Sequence, residues 1–334
     1  MRGKGTVSKG TSRKSTAKKS KSKDISKKSI SKKTKTKTKL NKKVNKKSSS
    51  IVGPTCSNKC APGTKPNPST CSCLSKESLL KIANQWNQNH PDNKIKIKKS
   101  SSTTYLWNQI HDKMKDRCKS EWCWIQQEFI KRLNSDDINN SYRPSMPSTW
   151  KDNKYEWLKT DDIENVMDQY EEAYNDFYFI GPVPIDFDKP YGIGHCVVDE
   201  LCKINLSKVY DDGYRKIGVV FNLDPHDKPG SHWVSMFCDL KKKGIYYFDS
   251  YGMKPPEEVE TLMVRLKNQA KLLNLDMKIK RNDVRHQYKN SECGVYCLFF
   301  ITELLKGRKF EHLIKSPVLD ESMNSKRKFF FVEQ

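Results

Sequence analysis

The first periodic segment of the chain begins at residue 75. Leu79, Leu80, Ile82, Ala83 and Trp86 recur at helical spacing behind Ser75-Lys76-Glu77-Ser78, which predicts a helix with Ser75 as its N-cap. His90-Pro91-Asp92 ends it. Leu106, Ile110 and Met114 mark a second amphipathic stretch, and Trp122, Ile125, Phe129, Ile130 and Leu133 a third. These positions read as the core of a small α-helical module over residues 76–148. Asn139-Asn140-Ser141 through Pro144 and Pro147 reads as the connection out of it.

From residue 149 to 334 the pattern mixes helices and strands. Asp161 to Tyr174 is predicted helical, with Ile163, Val166, Met167 and Tyr170 inward. Ile217 to Phe221 is a buried strand. Trp233 to Phe237 and Ile245 to Phe248 are two more, joined by the turn Lys241-Lys242-Lys243-Gly244. Glu257 to Leu273 is an amphipathic helix, and Met277 to Lys280 a short strand. Val295 to Leu305 is apolar nearly all round, which predicts a central buried helix.

Charge changes the picture at the N-terminus. The 334 residues carry a net charge of +24, yet residues 1–50 hold 20 Lys and Arg against the single acid Asp24, and the remainder is nearly balanced at 43 to 38. A self-repelling Lys/Ser/Thr tract with almost nothing apolar to bury is expected to be a disordered tail. Its lysines suit non-specific DNA binding through displaced counterions, the plainer alternatives being a solubilising tail or a localisation signal. Residues 51–75, rich in Pro, Gly and Cys, read as a linker. There Cys56, Cys60, Cys71 and Cys73 are spaced C-x3-C-x10-C-x-C. Four thiolates can hold zinc, but the usual knuckle repeats C-x2-C and a C-x-C pair points its ligands apart, so reduced thiols and no metal are expected. No apolar run approaches the roughly 20 residues of a membrane span. Met1-Arg2-Gly3-Lys4 does not open a secretory signal, so all eleven cysteines are expected to be reduced.

The chemistry is concentrated in the last third. Gly230-Ser231-His232-Trp233, Phe248-Asp249-Ser250, Gln287 and Glu292-Cys293-Gly294 follow one another. His232 opens one strand and Asp249 closes its hairpin partner, so the turn brings both to one sheet edge, where Asp249 can orient the imidazole. Cys293 lies at the N-terminus of the buried helix, where the macrodipole and an imidazolium both favour thiolate. The Gln287 side chain and the Cys293 amide can together supply an oxyanion hole. Cys297, Cys238, Cys196 and Cys202 lack such a setting, as do His195, His226 and His312. His286, beside Gln287, is the best decoy.

The segments His232-Trp233-Val234, Tyr247-Phe248-Asp249-Ser250 and Gln287…Glu292-Cys293-Gly294-Val295-Tyr296 resemble the Ulp-type (SUMO-specific) and adenain-like cysteine proteases. Asn290-Ser291-Glu292-Cys293-Gly294 is most similar to the processing proteases of large DNA viruses. The resemblance implies an α+β papain-related fold and a His232–Asp249–Cys293 triad assisted by Gln287. It implies no cofactor, and cleavage after Gly-Gly or Gly-x-Gly sites, in viral structural precursors within the virion or, alternatively, in SUMO or ubiquitin-like conjugates. Trp157, in Trp157-Leu158-Lys159-Thr160-Asp161, is similar to the family's substrate-covering tryptophan, and Trp233 is expected to join it in substrate binding. Residues 306–334 have no clear counterpart.

Overall fold

The computed structural model describes Cys56 and residues 59–333; the Lys-rich tail, with its expected disorder and DNA contact, lies outside them. The predicted helical stretches become α1 (Lys76–Asn89), α2 (Thr103–Met114), α3 (Glu121–Ile125), α4 (Glu128–Lys131) and α5 (Asp136–Asn139). The Ser75 hydroxyl caps α1 by accepting from the Ser78 amide at 3.0 Å. The third stretch splits in two because Gln127 is extended and spends its side-chain amide on the Cys123 carbonyl, 3.1 Å away.

Residues 59–75 are not a free linker. Cys60, Cys73 and Leu74 are buried with Leu79, Ile82 and Trp86, and the Ala61 amide donates to the Ser141 carbonyl at 3.0 Å. Nor are the cysteines all reduced. Cys56–Cys71, Cys60–Cys73, Cys118–Cys123 and Cys196–Cys202 are disulfides, with Cα separations of 4.8, 5.2, 5.4 and 6.5 Å that a bridge can span. Cys238, Cys293 and Cys297 are free and buried. Among the described residues, Cys56, Cys60, Cys71 and Cys73 do not converge on one point as a tetrahedral zinc site requires.

A 3₁₀ turn at Ser148–Lys151 leads to α6 (Thr160–Ala173), then β1 (Phe177–Pro184), α7 (Asp199–Cys202), α8 (Leu206–Asp211), β2 (Lys216–Asn222), β3 (Trp233–Asp239) and β4 (Gly244–Phe248). After these come α9 (Glu257–Leu272), β5 (Lys278–Arg281), α10 (Cys293–Leu305), α11 (Phe310–Lys315), α12 (Asp320–Ser325) and α13 (Arg327–Phe330). The sheet runs β1-β2-β3-β4-β5, antiparallel at its centre and parallel in its two outer pairs. Period-2 alternation sorts its faces. Trp233 and Phe237 of β3, with Tyr246 and Phe248 of β4, join α6 and α10 in one core. Val234, Met236, Ile245 and Tyr247 meet α8 and α9 in the other. This is the expected α+β class, with α10 starting two residues earlier than the apolar run indicates.

The described residues fall within one compact unit. The segment expected as a connection is pinned to the far end of the chain: Met146 N donates to the Val332 carbonyl, and Val332 N to the Pro144 carbonyl, both at 2.8 Å. No helix among the described residues is long and apolar enough to cross a membrane.

Candidate active site

The β3–β4 register pairs Ser235 with Phe248 and Met236 with Tyr247. His232 immediately precedes β3 and Asp249 immediately follows β4, so the hairpin sets both at one edge of the sheet. His232 Nε2 is 2.7 Å from Asp249 Oδ1, and the Tyr251 ring stacks on the imidazole with centroids 4.7 Å apart. The Tyr251 amide also donates to Asp249 Oδ1 at 2.9 Å. Behind them sits Asn282, fully buried: its Oδ1 accepts from Asp249 N at 2.9 Å and its Nδ2 donates to the Asp249 carbonyl at 2.7 Å. Asn282 thus clamps the backbone of the orienting carboxylate.

With Nε2 committed to Asp249, the other ring nitrogen is left for the Cys293 thiol, whose influence is one of those that raise the imidazole's pKa. Burial pulls the imidazole's pKa down, but the bonds to Asp249 and Cys293 and the charges on both outweigh it, and His232 is pushed up to about 9. It is therefore an imidazolium at neutral pH. Cys293 is the first residue of α10, whose leading N–H groups have no acceptor within the helix. The imidazolium and this positive helix end both stabilise negative charge on Sγ. Gly294 is required at the next position, because a Cβ there would come within 2.9 Å of the Leu158 side chain.

Gln287 is fully buried, and its carboxamide is held at both ends. Ser250 Oγ donates to Oε1 at 2.6 Å, and Nε2 donates to the Lys289 carbonyl at 2.6 Å. A Ser hydroxyl would accept either orientation of the amide; the Lys289 carbonyl accepts only the nitrogen, so it fixes which way Gln287 faces. The second N–H of Nε2 is the one an oxyanion could use.

The two tryptophans part company. Trp157 is 39% exposed and lines an open groove of about 840 Å³ with Tyr155, Tyr251, Tyr288 and Asn290. Trp233 is buried at 6% exposure, and its indole N–H donates to the Leu158 carbonyl at 3.0 Å. The expectation that Trp233 touches substrate is corrected: as the first residue of β3 it points to the α10 side and carries the Trp157–Leu158 ridge from below.

The competing residues are accounted for. His286 is buried against Phe248, its pKa lowered mainly by desolvation. His226 pairs with Asp186 at 2.7 Å and His195 with Asp199 at 2.5 Å, but the thiols beside His195, Cys196 and Cys202, are bonded to each other. Burial pushes the Cys238 and Cys297 thiols up, so both stay neutral. Sequence reasoning passed over Asn282, Ser250 and Tyr251. Ser250 and Tyr251 directly follow Asp249, and that adjacency was the available signal; Asn282 is joined to the site only by the fold.

Comparison with known proteins identifies the family. Residues 217–334 match the model of the Ulp1 protease family, C-terminal catalytic domain. The putative thiol protease R355 of Acanthamoeba polyphaga mimivirus is 31% identical over 280 residues, covering 78% of this chain and 89% of the relative. A cysteine protease of African swine fever virus is 26% identical, covering 64% of this chain and 83% of the relative. The crystal structure of an African swine fever virus protease covers 84% of this chain and 98% of its own, with a TM-score of 0.59 at 23% identity, a likeness of fold.

Proposed function

Because the chain belongs to the Ulp1-type thiol proteases and its relatives are viral members of that family, we propose that it is an endopeptidase that matures viral structural precursors in the virion by cutting after Gly-Gly or Gly-x-Gly. The observation that carries this reading is the free thiol of Cys293 at a helix N-terminus beside an Asp-oriented imidazolium, whose stacking partner Tyr251 lines an open groove. In this scheme Cys293 Sγ attacks the scissile carbonyl, and Gln287 Nε2 with the Cys293 amide receives the oxyanion. His232 protonates the leaving amine and then takes a proton from water as the thioester is hydrolysed. Asp249 holds the ring throughout. Preference for glycine is supported by the covering of the site: Cys293 is only 2% exposed, and the Leu158 ridge closes on Gly294, leaving room for backbone more readily than for side chains.

A second reading, removal of SUMO or a ubiquitin-like modifier, has one observation in its favour: several African swine fever virus relatives bear the name of a SUMO-1 cysteine protease. Purified enzyme offered a Gly-Gly-containing precursor peptide beside a SUMO fusion, each with a Cys293→Ala control, separates the two. Cleavage of the peptide supports maturation. Cleavage of the fusion alone moves the assignment to deconjugation. Non-specific DNA binding through residues 1–50 belongs to the same proposal; its test is a salt-dependent affinity that deletion of the tail abolishes.

A further inference from the structure

Glu292, immediately before the nucleophile, occupies the N-cap position of α10, where an acidic side chain ordinarily folds back onto the first-turn amides. Here it makes no cap bond. It is turned away and wholly buried: Oε2 accepts from Arg327 Nε at 3.0 Å, and Oε1 from Arg327 Nη2 at 3.1 Å and Asn324 Nδ2 at 2.9 Å. The guanidinium is nearly as buried, stacked over Trp150 at 4.4 Å and donating to the Glu156 carbonyl at 2.7 Å. A few residues earlier in the same C-terminal segment, Asp320 Oδ2 accepts the amides of Tyr288 and Lys289 at 2.9 and 3.0 Å. Lys289 is the residue whose carbonyl fixes the orientation of Gln287.

We propose that Arg327 and Asp320 are positioning residues for the oxyanion-binding half of the site: Arg327 withdraws the Glu292 carboxylate from the head of α10, and Asp320 holds the loop that aims Gln287. The roles given to Gln287 and Cys293 in the proposed protease mechanism are the basis of this assignment. The physical reasoning is electrostatic. Freed from Arg327, the Glu292 carboxylate would compete for the first-turn N–H groups and set a negative charge beside both the thiolate and the developing oxyanion. Paired, it is neutralised at a distance and the N–H groups stay open. The two contacts serve different donors, so their losses have different signatures.

The experiment uses the full chain and two readouts, peptide turnover and the pH-dependent rate of Cys293 alkylation by iodoacetamide, the second of which needs no substrate. In Arg327→Met, with the carboxylate left unpaired, kcat is expected to fall about 10- to 100-fold at near-constant KM, less than removal of a whole oxyanion donor. The alkylation profile should shift to higher pH. Glu292→Gln/Arg327→Met, which removes the charge as well, should regain the wild-type alkylation profile and most of kcat. Asp320→Ala should lower kcat about 10-fold while leaving alkylation unchanged, because it disturbs Gln287 and not the thiol. A wild-type alkylation profile in Arg327→Met, or a folded double variant that recovers neither readout, overturns the role of Arg327. Unchanged kcat in Asp320→Ala overturns that of Asp320. Should Arg327→Met not fold, the double variant, whose neutral pair removes the buried charge, and Arg327→Lys, which keeps the cation, decide: either one shifted to higher pH in alkylation refutes the charge argument. If no peptide or fusion is cleaved at all, the maturation reading fails while the alkylation comparison still stands or falls alone.

Discussion

Replacing Asn282 with alanine tests whether the orienting carboxylate is held by its backbone clamp. The Asn282 side chain makes three hydrogen bonds, two of them buried, from Asp249 N and to the carbonyls of Asp249 and Val284, at 2.9, 2.7 and 3.0 Å. At about 1 kcal/mol each, with the stranded Asp249 N–H adding desolvation while its C=O keeps the Gly252 amide, the loss should be roughly 3 kcal/mol, read as a drop in unfolding free energy by denaturant titration. Catalysis should fall too. Misorienting the imidazole outright costs on the order of 10⁴, but the Tyr251 amide still holds Asp249 Oδ1, so a smaller loss of about 10- to 100-fold in kcat is expected, with KM little changed. Asn282→Asp keeps the acceptor for Asp249 N and forfeits both donated bonds, and should be no better. A loss of stability below about 1 kcal/mol, or wild-type kcat in a variant destabilised as expected, would refute the clamp.

Three further outcomes are expected. Gln287→Ala should lower kcat/KM about 10²- to 10³-fold, the cost of one oxyanion donor, and unchanged turnover would remove Gln287 from the mechanism. Because His232 is pushed up from 6.5 to about 9, the stability its proton confers is complete below about pH 6.5 and is lost as pH rises through about 9. The alkaline limb of kcat/KM should follow the same titration, and in Cys293→Ala, where the sulfur's contribution is gone, NMR should find the imidazole titrating lower; an unmoved midpoint would mean the two groups do not interact. Native protein treated briefly with iodoacetamide should gain one adduct, on Cys293, because burial pushes the other two free thiols up with no imidazolium beside them and eight cysteines are bridged; mass spectrometry finding the adduct on Cys297 would contradict this.

The elements with strong periodicity were legible: α1, α2, α6, α9, α10 and the β2, β3 and β4 strands lie where their patterns place them. β1 was not, because its apolar residues do not alternate cleanly, and its Pro182 and Pro184 and the register shift between Ile180 and Val183 disguise it further. The His232–Asp249 pair was readable because a hairpin makes it local in sequence. Asn282, Asp320 and Arg327 act across the fold, and nothing in their own neighbourhoods marks them. The cysteine reading failed for a related reason: compartment arguments consider the chain as a whole, whereas a bridge such as Cys60–Cys73 depends on two Cα atoms coming within 5.2 Å.

The Glu292–Arg327 pair also sets an order of events during synthesis. Its two halves are 35 residues apart, and at 5–20 residues per second the ribosome needs about 2–7 s to pass from one to the other. For that interval the thiol and its histidine exist in a nascent chain whose Glu292 has no cation to meet. On the role proposed for Arg327, a chain caught in that interval is the weaker enzyme by the factor expected of Arg327→Met, about 10- to 100-fold.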